Sequence, residues 1–368
     1  MATRNKPRPK QVVYLWGAGA TQAEAQHLGA TISLLMRDTP DFGEGITTRT
    51  LNRTGRRPTS AFGSEHGVDI EKLISLLAAS GIDEHTQLAE KFRKNYFNEL
   101  RASLTTTEVR DNPQLAIRLL QLHRDRKFQE EVETLSGIIT TNHDGLLQVA
   151  SQSVFQGINI GFKFASEHFT QANSNSVPPI LQLHGSFTWR FDMPITVARI
   201  RRTSKYPDTV WIPPTILKES KSYPFNKLSG LAYELLARHC DVLRVVGASL
   251  TQNDWNILSL IFNAQRHREA TKGTAFLIEL IMPHKHGEII IRECGYLKSM
   301  NPIGYLTEGK FGEYIEKYEK NEEIQPDSDL ANPFAYWLNE KTQHHRSRSE
   351  LSVNGADEET GLAVGEDT

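Results

Sequence analysis

The chain reads as an α/β protein, a doubly wound parallel sheet with a helical insertion. Three observations predict this. Short apolar runs rich in β-branched residues recur, and each gives way to a small polar or glycine turn and then a helix-forming stretch. One long segment between them carries apolar residues at helical spacing and no strand. The 368 residues are enough for one large domain of this kind.

Residues 12–16 (VVYLW) form the first buried strand, and Gly17, Ala18, Gly19, Ala20 and Thr21 its turn. A helix rich in Ala, Gln and Leu is expected over 22–36, interrupted near Gly29. The polar, Gly- and Arg-rich stretch 52–67 reads as a loop. Ile70, Leu73, Ile74 and Leu77 repeat at helical spacing, as do Phe92, Tyr96, Phe97 and Leu100, then Ala116, Leu119, Leu120 and Leu122. They place the helical insertion at about 68–134. Strands return at 137–140, 180–183, 210–212, 242–246 and 275–281. Helices are expected from Gly145 onward and over 225–239, 254–268 and 311–320. The ordered body spans 11–340, between a flexible basic arm (1–10) and a disordered tail (341–368) of Ser, His, Arg, Gly, Asp and Glu.

With 38% hydrophobic and 23% charged residues, the composition is that of a soluble globular protein. A formal net charge of −2 makes no electrostatic case for direct nucleic-acid binding. The basic arm lacks the apolar stretch of a secretion signal, and no apolar run approaches the roughly 20 residues that span a bilayer. The expectation is a cytoplasmic protein without a membrane partner. Only Cys240 and Cys294 occur, far apart, which fits a reducing compartment and rules out a four-cysteine zinc site. No metal is expected.

Four segments carry candidate chemistry. In GAGAT, Gly17 and Gly19 let the backbone approach a pyrophosphate, the following helix presents free N–H groups to that anion, and Thr21 offers a hydroxyl. The plainer reading is a tight strand-to-helix turn. Gln22 stands where a full dinucleotide fingerprint needs glycine, which disfavours a hydride-transferring dehydrogenase. In TTNHD, Thr141, Asn142 and Asp144 follow a buried strand, where α/β sheets bind ligands; Asn142 can hold a water or ribose hydroxyl. Taken by itself, the segment is better explained as an Asx turn with Asp144 capping the next helix. In QLHGS, His184 is a candidate general base with Gly185 leaving room beside it, although one His-Gly pair among 13 histidines says little. In VVGASL, Gly247 and Ser249 suit a ribose or adenine edge, or a plain turn with Asp254 as the cap of the next helix.

In this order, GAGAT, TTNHD, QLHGS and VVGASL with a downstream Asp254 resemble the sirtuin superfamily. More closely, they are similar to the sirtuin-like NAD-consuming domains of bacterial antiviral defence systems, over residues 12–268. The resemblance implies a Rossmann-like fold. It implies NAD as the substrate, with Asn142 and His184 as the catalytic pair. Gly17, Gly19 and Thr21 would line the pyrophosphate, Asp144 would support the ribose side, Gly247, Ser249 and Asp254 would face the adenosine half, and Ala18, Thr141 and Gly185 would also bind the dinucleotide. Thr21 replaces a common serine, His143 a common tyrosine, and Ala248 a tyrosine or threonine. The CxxC zinc module of deacetylating sirtuins is missing, and residues 39–42 (TPDF) lie too far from the glycine turn to stand for their IPDFR-type segment.

The function implied is hydrolysis of NAD+ to nicotinamide and ADP-ribose, as a defence effector depleting NAD+. Control would come from homo-oligomerisation or a separately encoded helicase-type ATPase, Argonaute-type or sensor protein. A sirtuin-type deacylase or ADP-ribosyltransferase is the rival enzyme. A non-catalytic module sensing NAD or ADP-ribose is the rival outside enzymology.

Overall fold

The computed structural model describes residues 8–28, 63–64, 67–68, 70–104, 111–125, 133–161, 177–190, 209–213, 215, 218, 221–250, 252–282, 284–301 and 337–338. In chain order the elements begin with β1 (Lys10–Trp16), α1 (Ala18–His27), β2 (Gly63–Ser64) and β3 (Gly67–Val68). Helices α2 (Ile70–Ala79), α3 (Asp83–Leu104) and α4 (Gln114–Arg124) follow, then β4 (Glu133–Thr140) and α5 (Leu146–Phe155). Next come β5 (Ile180–Gln182), β6 (Gly185–Arg190), β7 (Thr209–Trp211), α6 (Phe225–His239) and β8 (Val242–Val246). The last are α7 (Trp255–Lys272), β9 (Leu277–Ile281), α8 (His284–Glu293) and β10 (Met300–Asn301).

Six strands form one parallel sheet in the order β5-β4-β1-β8-β9-β10. The chain builds outward from β1 to one side, then crosses back and builds outward on the other. This is the Rossmann-like order, with its switch point between β1 and β8, where α/β sheets bind ligands. Strand β1 shows why both faces are covered. Val12, Tyr14 and Trp16 pack into a core with residues of α1, α4 and α5, while Val13 and Leu15 pack into a second core with α6 and α7. Successive side chains of a strand point to opposite faces, so an all-apolar run needs a layer on each.

Among the described residues, an ion pair of Arg244 with Glu133 is buried within this sheet. Arg244 of β8 donates to both oxygens of Glu133 at 2.7 Å and to Glu279 at 2.7 Å, and its guanidinium lies 5.3 Å from the Trp337 ring. It also donates to the Tyr14 hydroxyl at 3.2 Å, which is paired with His123 Nε2 at 2.9 Å. A buried guanidinium persists only with such partners, and here one cation links β1, β4, β8 and β9.

The structure departs from the sequence reading in several places. Strand β4 begins at Glu133, not near 137, because its polar start is buried by the Arg244 pairing. The stretch 52–67 holds the start of a short antiparallel hairpin, β2 with β3. Helices α2 and α3 share a small core of their own through Ile74, Leu77, Ala89 and Phe92. Helix α4, read as part of the insertion, instead packs on the sheet in the layer of α1 and α5. Lys10, placed in the basic arm, opens β1. The expected helical residues 29–36 and 311–320, and the tail 341–368, lie outside the described residues.

Candidate functional site

Register decides where the four segments meet. Val246, Trp16, Thr140 and Gln182 form one row across β8, β1, β4 and β5. The residues just after this row are Gly247, Gly17, Thr141 and Leu183, so all four segments leave the same carboxyl edge of the sheet.

The glycines serve a closer purpose than the one expected of them. Gly17 N–H donates to Val246 O at 2.9 Å and Gly19 N–H to Gly247 O at 2.8 Å, while Ala20 N–H turns back to Gly17 O at 3.0 Å. A Cβ on Gly17 would lie 2.4 Å from Ala248 Cα, and one on Gly247, whose φ is +60°, only 2.2 Å from Ala20 N. The two turns are pressed backbone to backbone at the switch point, and glycine is what that contact needs. Gly17 and Gly19 therefore do not offer these N–H groups to a phosphate. What does face outward is Ala18 and Gly19 at the start of α1, with exposed Ser249 on the other turn. An anion at this crevice would meet the positive end of the α1 dipole.

Asn142 is anchored to the same turn. Its Nδ2 donates to Gly17 O at 3.0 Å and to Thr21 Oγ1 at 2.9 Å. Thr21 is buried and donates its hydroxyl to Asp144 Oδ2 at 2.9 Å, so that hydroxyl does not reach a phosphate as expected. Asp144 Oδ1 accepts from Leu146 N–H at 3.1 Å, the turn of the plainer reading, at the start of α5. Burial raises the Asp144 carboxyl above its ordinary range, against hydrogen bonds from Thr21, Leu146 and Asn142 that lower it. Thr141 lies half-buried in this turn.

His184 leaves the neighbouring strand β5. It is buried, its carbonyl accepts from Ile212 N–H at 2.8 Å, and it lines a cavity of about 730 Å³ with Leu183, Ile212, Tyr233, Trp255 and Asn256. Burial first, then the charges of Lys218 and His143, hold its pKa well below the ordinary imidazole value. His184 is thus neutral near pH 7, the state of a proton acceptor. Gly185 has φ +78°, and a Cβ there would lie 2.2 Å from Val210 O. The space beside it belongs to β7, not to a ligand.

Asn142 and His184 stand on adjacent strand ends. Among the described residues no hydrogen bond joins them, but Gln182 spans the gap, donating from Nε2 to Asn142 O at 3.0 Å and Asp144 O at 2.7 Å. The ring of His143, next to Asn142, has its centroid 6.2 Å from that of His184. His143 packs on Phe187 and Trp211, and Phe97 of α3 closes the cluster at 4.8 Å from Phe187 and 5.2 Å from Trp211. Burial, aided by Lys218, pushes His143 down to about 4. Asp254 stands at the cap position of α7 but makes no side-chain cap bond. It pairs with Lys218 at 3.2 Å, which engages the carboxylate expected to face adenosine.

Sequence reasoning missed Gln182, Lys218 and Trp211, and read Phe97 only as part of the apolar face of a helix. Gln182 left a trace, a polar residue inside an apolar strand. Lys218 and Trp211 gave no local signal.

The model of the SIR2-like domain family matches residues 136–301. No curated protein matches the chain. The matched span supports a sirtuin-like domain and runs from β4 to β10, taking in Asn142, His184, Gly247 and Asp254 but neither β1 nor the glycine turn. Domains of this kind bind NAD, so the match points to NAD-related chemistry. The crevice at the carboxyl edge of the sheet leaves room for such a ligand. The outward side of the α1 start is formed by small residues, and the nearby carboxylate of Asp144 is buried and already bonded. Among the described residues no helix is long and apolar enough to cross a membrane.

Proposed function

We propose that this chain hydrolyses NAD+ at its nicotinamide–ribose bond. The observation that carries the reading is the shared edge: the switch-point crevice, the Asn142 amide and the neutral His184 imidazole leave neighbouring strands of one sheet. The sirtuin-like match over 136–301 adds to it.

Nicotinamide departs from NAD+ as a neutral molecule, so its loss needs little acid assistance. The barrier lies in the cation-like ribose, as in other glycosyl transfers. Asn142 Nδ2 is held by Gly17 and Thr21, which leaves Oδ1 to accept from a water over the ribose. His184 takes a proton from that water as its oxygen bonds to the ribose carbon and the bonding pair leaves with nicotinamide. The products are nicotinamide, ADP-ribose and a proton. Chromatography of NAD+ incubated with the purified chain tests this. Asn142→Ala and His184→Ala should each lower nicotinamide release about 100-fold or more, and undiminished release in both folded variants overturns the reading.

The cavity beside His184 favours a second reading, since an attacking water needs no space of about 730 Å³. Transfer to an acceptor, in a deacylase or ADP-ribosyltransferase, would use it, and such an enzyme releases nicotinamide rapidly only when the acceptor is present. A protein that binds NAD+ and forms no product with or without acceptor would be a sensing module. An NAD+-depleting defence role requires restraint of the activity. The same incubation with the product of a neighbouring gene, and across protein concentration, tests control by partner or by oligomerisation.

A further inference from the structure

Glu24 is a buried carboxylate to which the function above assigns no part. It lies on α1 three residues after Thr21, on the same face of the helix, and is 0% exposed. Both of its oxygens accept from the first turn of another helix. Oε1 takes Leu115 N–H at 2.8 Å and Oε2 takes Ala116 N–H at 3.0 Å, with Gln114 N–H directed at the same group. A helix cannot satisfy these amides internally. Helix α4 has no cap of its own: Pro113 stands at the cap position without a side-chain hydrogen bond, and only Ile117 N–H turns back to it, meeting Pro113 O at 2.9 Å. Glu24 supplies from α1 what the sequence around α4 lacks.

The clasp works in both directions. The buried apolar side chains of α1 are Ala20, Ala23 and Ala25, each a single methyl, so the apolar grip on this helix is small. Buried polar ties hold it instead. Thr21 joins α1 to Asn142 and Asp144, and Glu24 joins it to α4. We propose that Glu24 is a positioning residue: by clasping the first turn of α4, it holds the start of α1 in place at the switch-point crevice. That start presents Ala18 and Gly19 outward and is the end of the helix an anion would meet. Because α4 follows the insertion helices α2 and α3 in the chain, the clasp also gives the insertion a route to the crevice.

The consequence for catalysis rests on the NAD-cleaving reading, but the first measurement does not. In the full chain without ligand, Glu24→Gln keeps the side chain's size and sets an N–H donor against the α4 amides. Hydrogen exchange should then quicken about tenfold or more over 18–27 and 114–117 together, with 242–246 unchanged. Faster exchange at 114–117 alone makes Glu24 a cap for α4 only and overturns the proposal, as does unchanged exchange at both. Glu24→Gln combined with Pro113→Ser gives α4 a cap of its own. In that double variant 114–117 should recover while 18–27 stays fast, and recovery of both overturns the proposal. The double variant also carries the test should Glu24→Gln alone not fold, and failure of both to fold makes the clasp a structural brace and overturns it. In the second measurement, calorimetry should show ADP-ribose bound about tenfold more weakly by the folded variants. Nicotinamide release should suffer in KM more than in kcat, whereas a mere loss of folded protein lowers kcat and leaves KM. Undiminished ADP-ribose affinity with α1 loosened overturns the proposal. A wild type that neither binds ADP-ribose nor cleaves NAD+ removes the NAD-cleaving reading, and exchange alone then decides the clasp.

Discussion

The two halves of the sheet's carboxyl edge are built by different means. At the β1/β8 end, backbone meets backbone: Gly17, Gly19 and Gly247 bring two turns into contact, and the short side chains of Thr21, Asn142 and Asp144 tie the first of these turns to the segment that leaves β4. At the β4/β5 end, His143 and His184 are set among large side chains from distant elements, with Phe97, Trp211 and Lys218 around them. The glycine half gains order from close approach and tolerates no added atom. The histidine half gains its chemistry from desolvation and from one buried cation, so it responds to charge.

Acid should separate the halves most widely. His143 and His184 are neutral in the folded chain, with His143 pushed down to about 4, whereas unfolded imidazoles take up protons at about 6.5. Their contribution is complete above the unfolded value and is lost as pH falls toward the folded one, at about 1.4 kcal/mol per pH unit for each. Hydrogen exchange followed from pH 7 to 4.5 should show protection lost first around β5, β6 and β7. Earlier loss at the glycine turns breaks the contrast.

Gly247→Val tests the other half. Its Cβ would fall 2.2 Å from the Ala20 nitrogen at a φ of +60°, and we expect a loss of about 4 kcal/mol in denaturant unfolding. Little change would mean that the turns part easily.

Phe97→Ala removes an aromatic buried between the insertion and the β6–β7 hairpin. It should cost about 3 kcal/mol and loosen the histidine half. Binding of ADP-ribose at the glycine crevice, measured by calorimetry, should persist. Equal loss of binding would show that the halves act as one unit.

Thr21→Val deletes a buried hydroxyl bonded to Asn142 and Asp144, with an expected cost of about 1–2 kcal/mol, and Thr21→Ser should restore most of it. The size of that rescue measures how much of the glycine half is hydrogen bonding and how much is shape.

The sequence by itself determined the strand-turn-helix alternation and the order of the four segments, because periodicity and turn residues are local. It placed β8 to the residue and the glycine turns correctly, yet for a ligand; that two turns would need the same glycines depends on β1 and β8 becoming neighbours. Only the tertiary structure decided the histidine half. Neutral imidazoles require burial, and the cluster around His143 and the cation beside it include Phe97 and Lys218, which lie 87 and 34 positions from His184 in the chain. A lysine in a sequence carries no sign of which carboxylates or imidazoles folding will bring to it; desolvation and Coulomb interaction are set by distance in space.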